Sequence, residues 1–309
     1  MPLTQFRYLE EVARCGSIRI AADRLHVAPS AISRQIKNLE MEIGDALFER
    51  HARGMVLTPA GEIYIQYTRN VLHDRERVRS EIEDLRGLRR GHIRVYGIDG
   101  VVAGPLSVAI HGFRAKYPNV TFRLISTGTE LVTRAVRDTD ADVGIAFQSS
   151  PQREVRFAHR VKDPLHAVVS PTHELARAKT VSLADVLKYP VAVPEATFGI
   201  RRLIDQRCRS LKISLQPALE TNSIEALRGF ARSGAGVTML NYLSTKYDVD
   251  LHRTSAIPFS DPAFQRSTTD ICVHEKRGLP VAAREFVGHL SVVMEEWARA
   301  APSRRAQRR

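Results

Sequence analysis

GSIRIAADRLHVAPSAISRQIKNLEMEIGDALFER, residues 16–50, decides the reading of the N-terminal part. Just before it, residues 4–15 place Phe6, Leu9, Val12 and Ala13 at helical spacing, giving one apolar face. Gly16 ends that helix. Ser17 is placed as the N-cap of a second, short helix with Ala21, Ala22 and Leu25 facing inward. His26-Val27-Ala28 makes a tight connection, and Pro29 opens a third helix, to about residue 41, where its missing N–H costs little. Ala31, Ile32, Ile36 and Leu39 form the buried stripe of that helix, with Ser30, Ser33, Arg34 and Lys37 on its other side. Two short helices joined by a tight turn are a helix-turn-helix. Hydroxyl, guanidinium and ammonium groups on the outer face of the second suit phosphate and base-edge contact. After Gly44 and Leu47-Phe48-Glu49-Arg50, the turn His51-Ala52-Arg53-Gly54 separates two short extended pieces ending at Leu57-Thr58-Pro59. Such a hairpin beside a helix-turn-helix is a wing. Arg50 lies along it, and Arg53 at its tip can reach a minor groove or a phosphate.

Composition bounds the rest. The chain has 309 residues, long enough for two or three domains, with 43% hydrophobic and 26% charged residues, so it is an ordinary globular chain. No apolar run is long enough to span a membrane, and charges stand where a secretory segment would be apolar, so a cytoplasmic location is expected. Cys15, Cys208 and Cys272 make no metal-ligand spacing and read as three separate reduced thiols. The net charge of +12 does not locate a DNA face, because residues 1–58 carry 8 basic and 7 acidic side chains while residues 91–309 carry 31 and 21.

Residues 59–88 lack a helix breaker except Gly61 and Gly87 near the ends. Tyr64, Val71, Val78 and Leu85 recur every seven residues, with Tyr67 and Ile82 between them, a short coiled-coil pattern that reads as a dimer seam. Residues 87–91 read as a boundary. Strand and helix then alternate. Strands are expected at 92–97, 120–126, 142–147, 165–170 and 191–193, and helices to 116 and at 129–137, 201–210, 223–233 and 282–299. This argues for α/β sheets with largely parallel strands, in two lobes. In such domains ligands bind at strand carboxyl ends and helix N-termini. The loops holding Asp99 and Gly100, Thr127, Gly128 and Thr129, Thr197 to Arg201, and Asn222 fit that place, as does 234–236.

Residues 16–61 resemble the N-terminal domain of LysR-type transcriptional regulators. The pattern of Ser17, Ala21-Ala22, Leu25, Ser33-Arg34-Gln35-Ile36, Leu39-Glu40, Gly44, Leu47-Phe48-x-Arg50 and LTPAG (57–61) carries the likeness. It implies an all-α winged helix-turn-helix whose third helix enters the major groove of double-stranded DNA. The usual family Ser or Thr followed by Gln is replaced here by Ala28 and Pro29, so no operator sequence carries over. The runs ADVGIAF (141–147) and GAGVTML (234–240) extend the resemblance to the family's effector-binding domain, with its periplasmic-binding-protein-like fold. The resemblance implies a DNA-binding domain at 1–58, a linker and dimerisation helix at 59–90, lobe I from 91–162 and 268–300, lobe II at 163–267, and a basic tail at 301–309 expected to be disordered. It implies a homodimer or homotetramer acting near RNA polymerase at a promoter, without a cofactor but with a small-molecule effector. By correspondence the effector meets Asp99, Gly100, Thr127, Thr129, Phe147, Phe198 and Arg201, with Gly128, Thr197 and Asn222 in the same loops. Asp99 would repel a carboxylate and Arg201 would attract one, so anionic, zwitterionic and cationic effectors all stand open.

Other classes fare worse. Motifs of metalloproteases, serine hydrolases, nucleotide-phosphate loops and dinucleotide folds are absent, and the eleven histidines show no ligand spacing, so no catalytic or metal site is expected. A transport solute-binding protein would lack the N-terminal domain. A thiol-redox regulator of the same family would need a cysteine nine positions before Cys208, where Gly199 stands.

Overall fold

The computed structural model describes residues 3–51, 54–85 and 90–299. Contacts divide the chain into two units, 1–82 and 83–309. The first contains α1 (Leu3–Cys15), α2 (Ile18–Leu25), α3 (Pro29–Ile43), β1 (Phe48–His51), β2 (Gly54–Leu57) and α4 (Pro59–Leu85). Ser17 caps α2 by accepting from the Ile20 N–H, and His26 ends it in the left-handed conformation at φ 54°. Ala28 supplies no side-chain cap to α3, leaving Pro29 to shape its start. Leu9, Val12, Ala22, Ile32, Ile36 and Leu39 close the small core.

The wing is held from both sides. Glu40 on α3 accepts from the Leu47 N–H at 2.8 Å, and the Met55 N–H donates to the Gly16 carbonyl at 2.8 Å. A side chain at Gly54 would begin 2.4 Å from that same carbonyl oxygen, and φ is +124°, so only glycine suits. Phe6 packs its ring against Tyr64 and Tyr67, centroids 6.4 and 5.8 Å apart, which seats the start of α4 on α1. Farther along α4, Val78 and Ile82 are 44% and 46% exposed and Tyr67 is 49% exposed. Residues 86–88 of the expected helix, Arg53 and the tail 301–309 lie outside the described residues.

The second unit begins with β3 (Gly91–Gly97) and α5 (Asp99–Val101), then a π turn (Val102–Leu106) kinked at Gly104, and α6 (Ser107–Lys116). It continues through β4 (Val120–Ser126), α7 (Thr129–Arg137), β5 (Val143–Phe147), β6 (Val155–Lys162) and β7 (Leu165–Val169). Next come α8 (Leu183–Val186), β8 (Val191–Pro194), α9 (Gly199–Leu211), β9 (Leu219–Thr221), α10 (Ile224–Arg232) and β10 (Val237–Asn241). The unit closes with α11 (Tyr242–Asp250), β11 (Ser255–Pro258), α12 (Pro262–Gln265), β12 (Thr268–His274) and α13 (Val281–Arg299).

Two five-stranded sheets result, in the orders β4-β3-β5-β12-β6 and β11-β7-β10-β8-β9. They are less parallel than the sequence suggests. β3 runs parallel to β4 and β5, and β8 to β9 and β10, but β12 opposes β5 and β6, and β7 opposes β10 and β11. The parallel triplets are joined by helical crossovers. The antiparallel strands β6, β7, β11 and β12 flank the two passages of the chain from one sheet to the other.

Asp163 lies in the first passage and is fully buried. Its carboxylate accepts from Thr269 Oγ1 at 2.6 Å, beside the return passage, from the Leu243 N–H at 2.9 Å, and from the Asn241 amide. The main chains are clasped as well, with Asp163 N–H donating to Ser267 O and Ser267 Oγ to Asp163 O, both at 2.9 Å. Nearby, the chain's single tryptophan, Trp297 on α13, stands against Gly104, and Lys246 of α11 lies 5.8 Å from its ring centroid.

Burial raises the Asp163 pKa to about 6 from an ordinary 3.8, against the lowering effect of its hydrogen bonds. The folded chain therefore holds this proton more tightly than the unfolded chain. The stability it contributes is complete below 3.8 and is lost as pH rises through about 6. Urea unfolding of the wild type and Asp163→Asn across this window should show their stability difference tilting against the wild type as pH rises, then levelling. A constant difference would refute the assignment.

Candidate DNA-contact face and effector cleft

On α3 the apolar side is consumed by the core, so Ser30, Arg34 and Lys37 are exposed and Ser33 is half-buried. Arg50 is exposed on β1. Among the described residues, Arg34, Lys37 and Arg50 take part in no ion pair, which leaves each cation available to an external anion. Sequence reading passed over Gln35, whose side chain is held by the Gln5 amide at 2.9 Å.

Part of the expected effector set meets closely where strands of the two sheets end: the loop at 127–129, the end of β5 and the loop at 195–199. Gly128 is so near the 195–199 loop that a Cβ there would lie 2.9 Å from the Thr197 carbonyl oxygen. Across the same gap, a Cβ on Gly199 would lie 2.4 Å from the Phe147 carbonyl oxygen and 3.0 Å from Thr129 Oγ1. Glycine at both positions lets the loops meet, backbone against backbone. The sequence placed Gly199 in a candidate loop and at the position of a missing cysteine, without disclosing this close approach.

Individual side chains are engaged in ways the sequence did not disclose. The Thr129 hydroxyl is buried, donating to Phe147 O at 3.1 Å and accepting from Phe147 N at 3.2 Å, so it braces the end of β5. Phe147 and Phe198 are buried. Asp99 accepts from Ser126 Oγ at 3.1 Å, and half-buried Thr127 donates its N–H to Gly97 O at 3.0 Å. Thr197 is exposed and donates to Glu195 at 2.8 Å. Asn222 is exposed ahead of α10, whose N-cap is Ser223. Gly100 is pressed against α11, where a Cβ would fall 1.7 Å from Ser244 Oγ. Arg201 is the largest departure. Its guanidinium binds Asp205 at 2.9 Å, Glu220 at 2.7 Å and Pro194 O at 3.1 Å, so two carboxylates already neutralise the expected anion anchor.

The thiols suit no redox pair. Burial raises the pKa of Cys208 and pushes that of Cys272 up to about 12, and all three cysteines are unbridged. No helix among the described residues is long and apolar enough to cross a membrane.

The helix-turn-helix region at residues 3–62 matches the family model described as bacterial regulatory helix-turn-helix protein, lysR family, and residues 86–294 match the LysR substrate binding domain. The chain belongs to the LysR family of transcriptional regulators. It is 30% identical over 291 residues to the transcriptional dual regulator GltC of Bacillus subtilis, covering 93% of this chain and 95% of that one. It is 28% identical to the probable nitrogen assimilation transcriptional activator of Synechococcus elongatus, covering 91% of each chain. Among solved structures, a full-length OxyR variant from Pseudomonas aeruginosa shares the fold with a TM-score of 0.73 at 19% identity, covering 95% of this chain and 94% of that one. CbnR complexed with its target DNA does so at 0.62 and 20% identity, covering 95% and 100%. This LysR-family member is thus a DNA-binding transcriptional regulator with an α/β effector-binding domain built on two sheets.

A methyl group at Gly199 must push the loops apart. Gly199→Ala is expected to destabilise the C-terminal unit by about 1–3 kcal/mol, the usual cost of overpacking, read as a lowered melting temperature. An unchanged melting temperature would mean the cleft opens without cost.

Proposed function

We propose that this LysR-family regulator is a cytoplasmic, sequence-specific binder of a pseudo-palindromic operator. It acts as a homodimer through α4, pairs further into a tetramer, and modulates RNA polymerase at the promoter. The observation that carries this reading is the outer face of α3, where Ser30, Arg34 and Lys37 stand exposed opposite the core. With Ser33, Arg50 and Arg53 they form the DNA-contact set, some groups positioning on phosphate and others reading bases. Exposed Tyr67, Val78 and Ile82 favour a second α4 as their cover.

The effector sits between lobe I, residues 91–162 and 268–300, and lobe II, residues 163–267. Asp99, Gly100, Thr127, Gly128, Thr129, Phe147, Thr197, Phe198, Arg201 and Asn222 frame that cleft. With Arg201 neutralised and Asp99 and Glu195 at the loops, a cationic or zwitterionic effector is favoured over a simple anion. By binding the closed and open arrangements unequally, the effector shifts the balance between them.

Fluorescence anisotropy against an operator recovered by genomic DNA capture tests the DNA face. Arg34→Ala should weaken binding by about 1–3 kcal/mol if Arg34 reads a base, and an unchanged affinity would remove it from the interface. Ile82→Glu should convert dimers to monomers in sedimentation, and a retained dimer would place the seam elsewhere.

A further inference from the structure

A cavity of about 480 Å³ lies beside the passage from β6 to β7. Arg160 and Lys162 of β6, Glu295 and Arg299 of α13, His166 of β7 and Tyr242 at the start of α11 line it. Val161, Pro164 and Ala298 complete the lining, so much of the wall is apolar. That volume suits a small organic molecule. None of these residues belongs to the cleft set, so the site does not depend on the reading of the cleft.

Two groups on the lining lack a partner. His166 Nδ1 lies 3.0 Å from the Pro164 carbonyl oxygen. A carbonyl only accepts, so Nδ1 carries the proton and Nε2 keeps its lone pair. Among the described residues Nε2 makes no hydrogen bond, yet it is not sealed from solvent. Burial lowers the His166 pKa, which keeps the ring neutral. Tyr242 steadies that ring, its centroid 5.5 Å away and its N–H donating to the same Pro164 carbonyl at 3.0 Å. Nε2 is therefore a fixed acceptor waiting for a donor. The second group is the Lys162 ammonium, which is exposed and enters no ion pair among the described residues.

The other charges are engaged. Arg160 stands 3.4 Å from Asp270 and lies over the Phe157 ring. Glu295 meets His159 at 2.9 Å with one oxygen and Arg299 at 2.6 Å with the other. Three cations and one carboxylate line the cavity, a balance that favours an anion.

We propose that this cavity binds a small hydroxy acid, a carboxylate joined through a short apolar body to a hydroxyl. The hydroxyl donates to His166 Nε2, the carboxylate pairs with Lys162, and Val161, Pro164 and Ala298 cover the body. Because β6 belongs to one sheet and β7 to the other, the bound molecule links the two sheets across the passage that Asp163 anchors.

Calorimetric titration and thermal shift of the full chain against para-hydroxybenzoate and ω-hydroxyhexanoate test this, each beside its O-methyl ether and its carboxamide. At least one of the two acids should bind and raise the melting temperature. Its ether should bind about threefold or more weakly, the scale of one neutral hydrogen bond. Its carboxamide should lose about fivefold or more, as should the acid against Lys162→Ala, the scale of a charge-assisted contact partly open to water. Lys188→Ala, an exposed change away from the cavity, should leave binding unchanged. Against His166→Phe the acid and its ether should bind alike. The proposal fails if neither acid binds at saturating concentration and the cavity holds water only. It fails equally if the ether or the carboxamide binds as tightly as the acid, if Lys162→Ala binds normally, if Lys188→Ala weakens binding as much as Lys162→Ala does, or if His166→Phe still prefers the acid to its ether.

Discussion

A carboxylate buried where the chain changes sheets organises the C-terminal unit. Asp163 accepts from residues on both sides of the passage, Asn241 and Leu243 near one sheet and Thr269 on the other. An unpaired charge at that depth would be prohibitive, so the donors and the acceptor are mutually required. The same contacts fix where one sheet stops and the next starts. The strands beside the passages run antiparallel to their neighbours. Replacing Asp163 by an apolar residue would orphan several donors at once.

From this junction the loops extend to a gap closed by main chain. Gly128 and Gly199 bring the Thr197 and Phe147 carbonyl groups within contact range. Thr129 turns inward to brace Phe147, and Arg201 turns toward Asp205 and Glu220. What remains near the gap is hydroxyl, amide and carboxylate, without a free guanidinium from Arg201.

The N-terminal unit was almost fully legible. Its helices have regular apolar spacing, a serine cap at Ser17, Pro29 at a helix start and Gly44 at a helix end, all local signals. In the C-terminal unit, α7 was readable to the residue because its apolar side chains recur at helical spacing. By contrast, α11 was invisible, since Tyr242, Leu243, Ser244, Thr245, Lys246 and Asp248 are all buried and no polar face alternates with an apolar one. β12 was hidden similarly, its buried Asp270 and His274 resembling surface residues. That the 127–129 and 195–199 loops lie at strand ends and helix starts was readable from the alternation of strands and helices. The engagement of Arg201 did not, because Glu220 comes from a strand 19 residues away in sequence.

Trp297 gives the junction an optical property. It is the chain's single tryptophan, and its indole N–H is buried without a partner, beside Gly104 and within reach of the Lys246 charge. Indole emission responds to nearby charge and to water. Sliding α11 past α13 would change both at this ring. The intrinsic fluorescence of the unlabelled protein is therefore a direct gauge of how the two sheets move, with no competing tryptophan signal to subtract.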